Sequence, residues 1–232
     1  MNNSLSNLIY YNHIKGKYIK IWFLIGFMEN NNFVSLKNVI REDIPRIIDW
    51  IEDKEIYENW FGQYAYDKSA HLGYEPKDMI DASEEEWNEV FHDPHHEPHR
   101  SIFSIYHKEN HIGEAQLSID ESLGDVQMSV LIGDKKSWHK GFGTQTVLAL
   151  LEHSFLNLGL YRAWVDIPEY NENAIGLFEK IGFIHEGTFR KSRPKNGTRF
   201  NSVIMGFLVD EYDSKYPDGI SSHVIEWDGQ EI

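Results

Sequence analysis

The chain has no cysteine. That excludes disulfides, zinc–thiolate sites and thiol catalysis, and is compatible with a reducing cytosol. Basic residues are scarce: 22 Lys and Arg stand against 37 Asp and Glu, a formal charge of −15. Residues 1–27 hold Lys15, Lys17 and Lys20 and no acid, a local +3, so the remainder carries −18. Such a body repels nucleic-acid phosphates and favours cationic partners, although acidity also simply keeps a protein soluble. Long apolar runs are missing too. Residues 21–27, behind the three lysines, imitate a signal peptide, yet no small-residue cleavage site follows and the run is too short to span a bilayer. Neither nucleic acid nor a membrane is expected as a partner. There is no internal repeat, and no low-complexity tract beyond the asparagines at 30–32. Hydrophobic residues at 41% and aromatics at 14% are enough for a folded core.

The most informative stretch is Trp138-His139-Lys140-Gly141-Phe142-Gly143-Thr144. Before it, Val126, Met128, Val130 and Ile132 alternate with other residues at the period of a strand. After it, Val147, Leu148, Leu151, Phe155 and Leu158 recur at helical spacing. A Gly-x-Gly turn lets the backbone pass close to a ligand, and the following helix start offers unpaired N–H groups that suit a phosphate. The turn is not a P-loop, because no Gly-Lys-Ser/Thr follows at the required spacing. Nor is it a dinucleotide fingerprint, since Thr146 stands where the third glycine would fall.

A second strand, Arg162 to Ile167, then leads to Asn171-Glu172-Asn173-Ala174 and a helix carrying Ile175, Leu177, Phe178 and Ile181. Gly182-Phe183 closes it as a glycine C-cap with an apolar follower. In this order and spacing, roughly over residues 33–210, the chain resembles the GNAT superfamily of acetyl-CoA-dependent N-acetyltransferases. The Trp138-His139-Lys140 lead-in and the run Phe183-Ile184-His185-Glu186-Gly187-Thr188 are most similar to its RimJ/RimL-type branch. The resemblance implies an α/β GNAT (acyl-CoA N-acyltransferase) fold, a mixed, mainly antiparallel sheet with flanking helices. It implies direct acetyl transfer to a primary amine, either a protein N-terminal amine or a small polycation. It also implies a cytoplasmic enzyme, which draws on the cytosolic acetyl-CoA pool.

The same resemblance assigns the site. Acetyl-CoA would lie between the two motif strands where they splay, with the backbone of Leu131, Ile132 and Gly133 pairing with pantetheine and polarising the acetyl carbonyl. Trp138, His139, Lys140, Gly141, Phe142, Gly143 and Thr144 would hold the pyrophosphate through main-chain amides. Asn171 stands where the family has a cofactor-contacting asparagine, and Asn173 is the alternative; for either, a helix cap is the competing role.

Two usual proton-transfer groups are absent. Gln127 occupies the position of a glutamate base and Phe178 that of a tyrosine acid. A CoA-binding module without turnover is therefore the alternative. For turnover, an ammonium must lose a proton before it can attack. Asp166 on the second splayed strand is the first candidate base, Glu114 on the preceding strand acts through water, and Tyr170 replaces the missing acid. Catalysis by proximity alone also remains open.

Residues 75–99 are the expected substrate side, with nine acids against one lysine and with His92, His95, His96 and His99. A solvated helix face is the competing reading. The two prolines in the histidine run, and its lack of helical spacing, argue against a purposeful metal site. Elsewhere, residues 33–39 read as a strand. Ile44, Ile47, Ile48 and Ile51 mark a helix face behind a cap at Asp43, and Ser83 with Glu86 fits a capping box. Residues 102–108, 112–119 and 126–133 read as antiparallel strands. Residues 187–193 and 200–208 form a hairpin about Asn196-Gly197, and 223–227 is a last strand. The expected division is an extension over 1–28 that the native protein need not carry, a GNAT domain over 29–210 and a tail over 211–232. Oligomeric state leaves no mark in the sequence.

Overall fold

Period-two runs become strands and period-3.6 runs become helices in the computed structural model, which describes residues 10–14, 17–21, 33–60, 73–93, 99–217, 219–220 and 225–227. In chain order these form β1 (Tyr10–Ile14), β2 (Lys17–Ile21), β3 (Val34–Asn38), α1 (Ile44–Glu52), α2 (Lys54–Trp60), α3 (Pro76–Met79), α4 (Glu84–Phe91), β4 (Arg100–His107), β5 (Asn110–Asp120) and β6 (Asp125–Ile132). There follow α5 (Phe142–Glu152), β7 (Arg162–Pro168), α6 (Glu172–Ile181), β8 (Ile184–Lys195), β9 (Thr198–Leu208), α7 (Val209–Lys215) and β10 (Ile225–Trp227). β1 and β2 form an antiparallel ladder of their own. The rest of the extension over 1–28 lies outside the described residues, as do His95 and His96.

The other strands form one eight-stranded sheet in the order β10-β3-β4-β5-β6-β7-β9-β8. Only β10 with β3 and β6 with β7 run parallel, so the sheet is mixed and mainly antiparallel. Alternation decides which side chain meets which layer. Val126 and Met128 of β6 and Ala163 and Val165 of β7 join the main core with α5, α6 and α7. The opposite face carries Gln127, Ser129, Leu131, Trp164 and Asp166, on the side where α1, α3 and α4 pack a smaller core around Ile44, Ile47, Met79 and Trp87. Among the described residues no helix is long and apolar enough to cross a membrane.

Local signals work where partners are near in sequence. Ser83 and Glu86 close the capping box of α4, with Ser83 Oγ accepting from the Glu86 N–H at 3.2 Å. Asn196 and Gly197 turn the β8–β9 hairpin with φ of 51° and 75°, the left-handed pair of a type I′ turn. The helix after Gly143 stops earlier than its apolar spacing predicts: α5 ends at Glu152 and a π-helical turn, His153–Asn157, continues the run.

Asp43 is a correction of a different kind. It stands at the N-cap of α1 but its side chain caps no N–H of that helix, accepting from the Ile40 N–H before it at 3.3 Å. Instead it is fully buried and accepts from Ser104 Oγ at 2.6 Å, Tyr106 Oη at 2.5 Å and Arg46 Nη2 at 2.7 Å, with His111 Nδ1 3.2 Å away. Burial pushes its pKa up, but the two hydroxyls and neighbouring charge hold it below the usual carboxylate value. His111 packs at a tilt against Trp50, ring centroids 4.7 Å apart, and a side chain at Gly133 would collide with that indole. The network therefore locks α1 to the end of β6. Past residue 210, Tyr212 of α7 enters the main core and β10 pairs with β3.

Candidate active site

β6 and β7 are hydrogen-bonded neighbours over only three rungs, Asp125/Arg162, Val126/Ala163 and Gln127/Trp164. Beyond Gln127, β6 continues on β5 as far as Ile132, while β7 continues on β9 as far as Pro168. The two strands thus diverge into a wedge, and the β6 edge past Gln127 has no strand partner among the described residues. Backbone N–H and C=O groups on such an edge need partners from outside the sheet. Arg162 fastens the closed end, bonding Asp125 Oδ2 at 2.8 Å and the Glu186 carboxylate.

Two of the backbone groups expected to face a ligand are already engaged. The Ile132 carbonyl accepts from Trp138 Nε1 at 2.7 Å, and the Gly133 N–H donates to Ile112 O at 2.9 Å. Trp138 thereby braces the turn against β6 instead of facing outward, and the Ile132 N–H is the group of the three that the wedge edge keeps, since Leu131 shares with Gly133 the backbone direction toward β5. Aromatic bracing of this kind is invisible until the turn is folded.

The turn itself has the form the glycines suggest. Asp134 caps a 3-10 segment, Lys135–Ser137, and His139 and Gly141 take left-handed φ of 59° and 84°. Gly141 is the N-cap of α5 and supplies no side chain, so no side-chain cap reaches the N–H groups of Phe142, Gly143 and Thr144. Lys136 and Lys140 stand exposed at the same turn. Uncapped amides, a helix dipole and two lysines concentrate positive potential here on a strongly acidic protein, an arrangement that suits an anion.

α2 bridges the wedge mouth, a role the sequence did not signal. Lys135, just past β6, bonds Asp53 Oδ2 and Glu55 Oε2 at 2.8 Å each. At the other end of the helix the Asn59 carbonyl accepts from Asn171 Nδ2 at 2.9 Å, just past β7. Asn171 also caps α6, its Oδ1 accepting from the Ala174 N–H at 3.2 Å. Asn173 is exposed on the first turn of α6.

The candidate proton-transfer groups separate by environment. Asp166 is paired through Oδ2 with Arg193 Nη2 at 2.5 Å, so it is no free base. Glu114 is buried and meets no cation among the described residues; it accepts from Tyr74 Oη and, at 2.7 Å, from Gln116 Nε2. Burial raises its pKa to about 7, against the two hydrogen bonds that favour the charge. Tyr74 itself is only partly buried, although burial and the Glu114 carboxylate raise the pKa of its hydroxyl well above the usual value. The Tyr170 ring packs edge-on against Phe200 at 5.1 Å, with Lys195 Nζ 4.0 Å from its centroid. Phe178, where the resemblance expects a tyrosine, is buried against Phe183.

A groove of about 1230 Å³ runs over the same face to the closed end of the wedge, lined by His99, Asp120, Glu121, Asp125, Gln127 and Trp164 among others. Its acids come from the β5–β6 turn. Of those in residues 75–99, Glu84 is bonded to Arg41 at 2.9 Å and Glu86 is consumed by its capping box, so that segment is in part structural.

The family model described as an acetyltransferase (GNAT) domain matches residues 34–184. Spermidine N(1)-acetyltransferase of Vibrio cholerae is 25% identical over 187 residues, covering 80% of this chain and 96% of that protein. Alpha/beta-tubulin-N-acetyltransferase 9 of Homo sapiens is 30% identical over 107 residues, covering 46% of this chain and 47% of that one. The chain thus spans less than half the length of some curated relatives it matches. The crystal structure of the Vibrio cholerae spermidine N-acetyltransferase with CoA and spermine superposes with a TM-score of 0.61 at 22% identity, over 79% of this chain and 99% of that one.

Proposed function

The chain belongs to the GNAT acetyltransferase family, and from that membership we propose that it moves acetyl from acetyl-CoA directly to a primary amine of a small polycation of the polyamine type. The observation that carries the reading is the parallel β6–β7 pairing, which ends after Gln127/Trp164 beside an uncapped helix start. Acetyl-CoA supplies the acetyl group as a thioester. The pyrophosphate sits on the amides of Phe142, Gly143 and Thr144, with His139, Lys140 and Gly141 shaping the turn and Trp138 bracing it. Pantetheine pairs with the open edge at the Ile132 N–H, between Leu131 and Gly133, whose backbone groups turn toward β5. Asn171 holds the mouth open through α2, and Asn173 stands exposed beside it.

The two carboxylates divide the work on the amine. Asp166, fixed by Arg193, binds the ammonium, since a nearby anion favours the charged form. Glu114, with a pKa of about 7, accepts the proton near neutral pH by way of Tyr74 and water. The nitrogen lone pair then forms the C–N bond at the thioester carbonyl carbon, the C–S bond breaks, and the thiolate takes the nitrogen's second proton by way of Tyr170. Gln127 and Phe178 need no proton role in this scheme, which is why turnover is favoured over a CoA-binding module.

The acidic groove and the Vibrio cholerae relative support a polyamine acceptor. The RimJ/RimL-like lead-in and the tubulin-acetylating relative support a protein N-terminal amine as the second reading. CoA release scanned over spermidine, spermine, aminoglycosides and peptides with free N-termini separates the two. Turnover with polyamines is expected; turnover confined to peptides overturns the acceptor assignment.

A further inference from the structure

Buried polar atoms without partners are rare, and each calls for a reason. Two of them flank the wedge. Ser129 Oγ and Asp166 Oδ1 are both buried with no hydrogen-bond partner among the described residues. Each lies two residues beyond the last rung, Gln127/Trp164, one on either diverging strand, so they stand level across the opening. Each also points away from the main core, because Met128 and Val130 on β6, and Val165 and Ile167 on β7, take the core-facing positions. Asp166 is held by its other oxygen to Arg193, whose side chain is 9% exposed. On the far side of β6, Ser129 is the cross-strand partner of Gln116, which donates to Glu114. Ser129 therefore stands between the carboxylate paired with a cation and the carboxylate that meets none among the described residues.

We propose that Ser129 Oγ and Asp166 Oδ1 together grip the acceptor's reacting nitrogen, each accepting one of its N–H bonds. This assignment rests on the acetyltransferase reading above. An ammonium has three N–H donors; two held this way fix the nitrogen's position at the wedge and leave the third directed toward the Gln116–Glu114 side. A secondary ammonium can satisfy both oxygens but keeps no N–H for the Glu114 side, and a tertiary one has a single donor, so the arrangement selects a primary amine. No change of covalent bonding at Ser129 is involved.

The test uses the full chain and the substitution Ser129→Ala, with spermidine as the probe amine. The side chain has no partner to lose, so a structural role and a substrate role predict opposite outcomes. Removing a buried, unpartnered hydroxyl leaves the unfolding midpoint unchanged or raises it. Loss of a hydrogen bond to a charged amine raises the spermidine KM about tenfold to a hundredfold, while the acetyl-CoA KM stays unchanged. A fall in the unfolding midpoint without a change in amine KM assigns Ser129 to the fold and overturns the proposal. So does a variant matching the active wild type in kcat and in spermidine KM. A wild type that acetylates no amine overturns the acetyltransferase reading itself, and calorimetric binding of spermidine to both proteins in the presence of CoA tells the two failures apart.

Discussion

Replacing Glu114 by glutamine should make the protein more stable and less active at the same time. The wild-type carboxyl is buried, and its pKa rises from 4.5 to about 7 because burial disfavours the charge. A rise of that size corresponds to about 3 kcal/mol, at roughly 1.4 kcal/mol for each factor of ten. The sign follows from proton uptake. Between pH 4.5 and 7 the folded chain keeps a proton on Glu114 that the unfolded chain has lost, so folding stability falls as pH rises through this window. Glutamine has nearly the same shape, still accepts from one neighbour, and can donate to the Tyr74 oxygen that formerly donated to it. It does not titrate. Urea unfolding of both proteins at pH 4, 5, 6, 7 and 8 should show no difference at the acid end and a variant more stable by up to about 3 kcal/mol at pH 8. kcat/KM for the amine should fall on the order of a hundredfold or more, with acetyl-CoA binding retained. Parallel stability profiles across the whole range would refute the claim that Glu114 is held near neutrality by burial.

Three further outcomes follow from the same geometry. Gly133→Ala drives a methyl group into the Trp50 indole and should cost about 1–3 kcal/mol by urea titration, with acetyl-CoA KM rising because the end of β6 shifts. Asn171→Ala removes both a helix cap and the tie to α2; about 1 kcal/mol of stability should go, read in thermal unfolding, together with acetyl-CoA affinity read by calorimetry. Arg193→Ala leaves the Asp166 carboxylate unpaired. The cost should be about 2–3 kcal/mol, below that of a fully buried pair because Asp166 keeps 16% side-chain exposure, and adding Asp166→Asn should recover part of it.

What could be read in advance was the part written in neighbouring residues. The strand periods, the Gly141-x-Gly143 turn, the Asn196-Gly197 hairpin and the Ser83/Glu86 box each involve atoms a few positions apart. What escaped depends on partners far along the chain. Asp43 looks like a cap locally and becomes a buried hub only because Ser104 and Tyr106, 61 and 63 residues on, arrive beside it. Asp166 looks like a free base until the β8–β9 hairpin delivers Arg193. Tyr74 falls in a stretch with no strand period, and Ser129 is an ordinary strand serine until the register shows that β7 has left its side. The groove acids fall between the strands read over 112–119 and 126–133, and only sheet order brings Asp120 and Asp125 alongside Trp164.

The central claim, direct transfer without an acyl-enzyme, is tested most directly by a single-turnover experiment with acetyl-labelled acetyl-CoA. Intact-protein mass spectrometry before the amine is added should find no acetylated chain. After spermidine is added, monoacetylated spermidine should appear in step with free CoA. Label retained on the protein, or released only as acetate, would contradict the account.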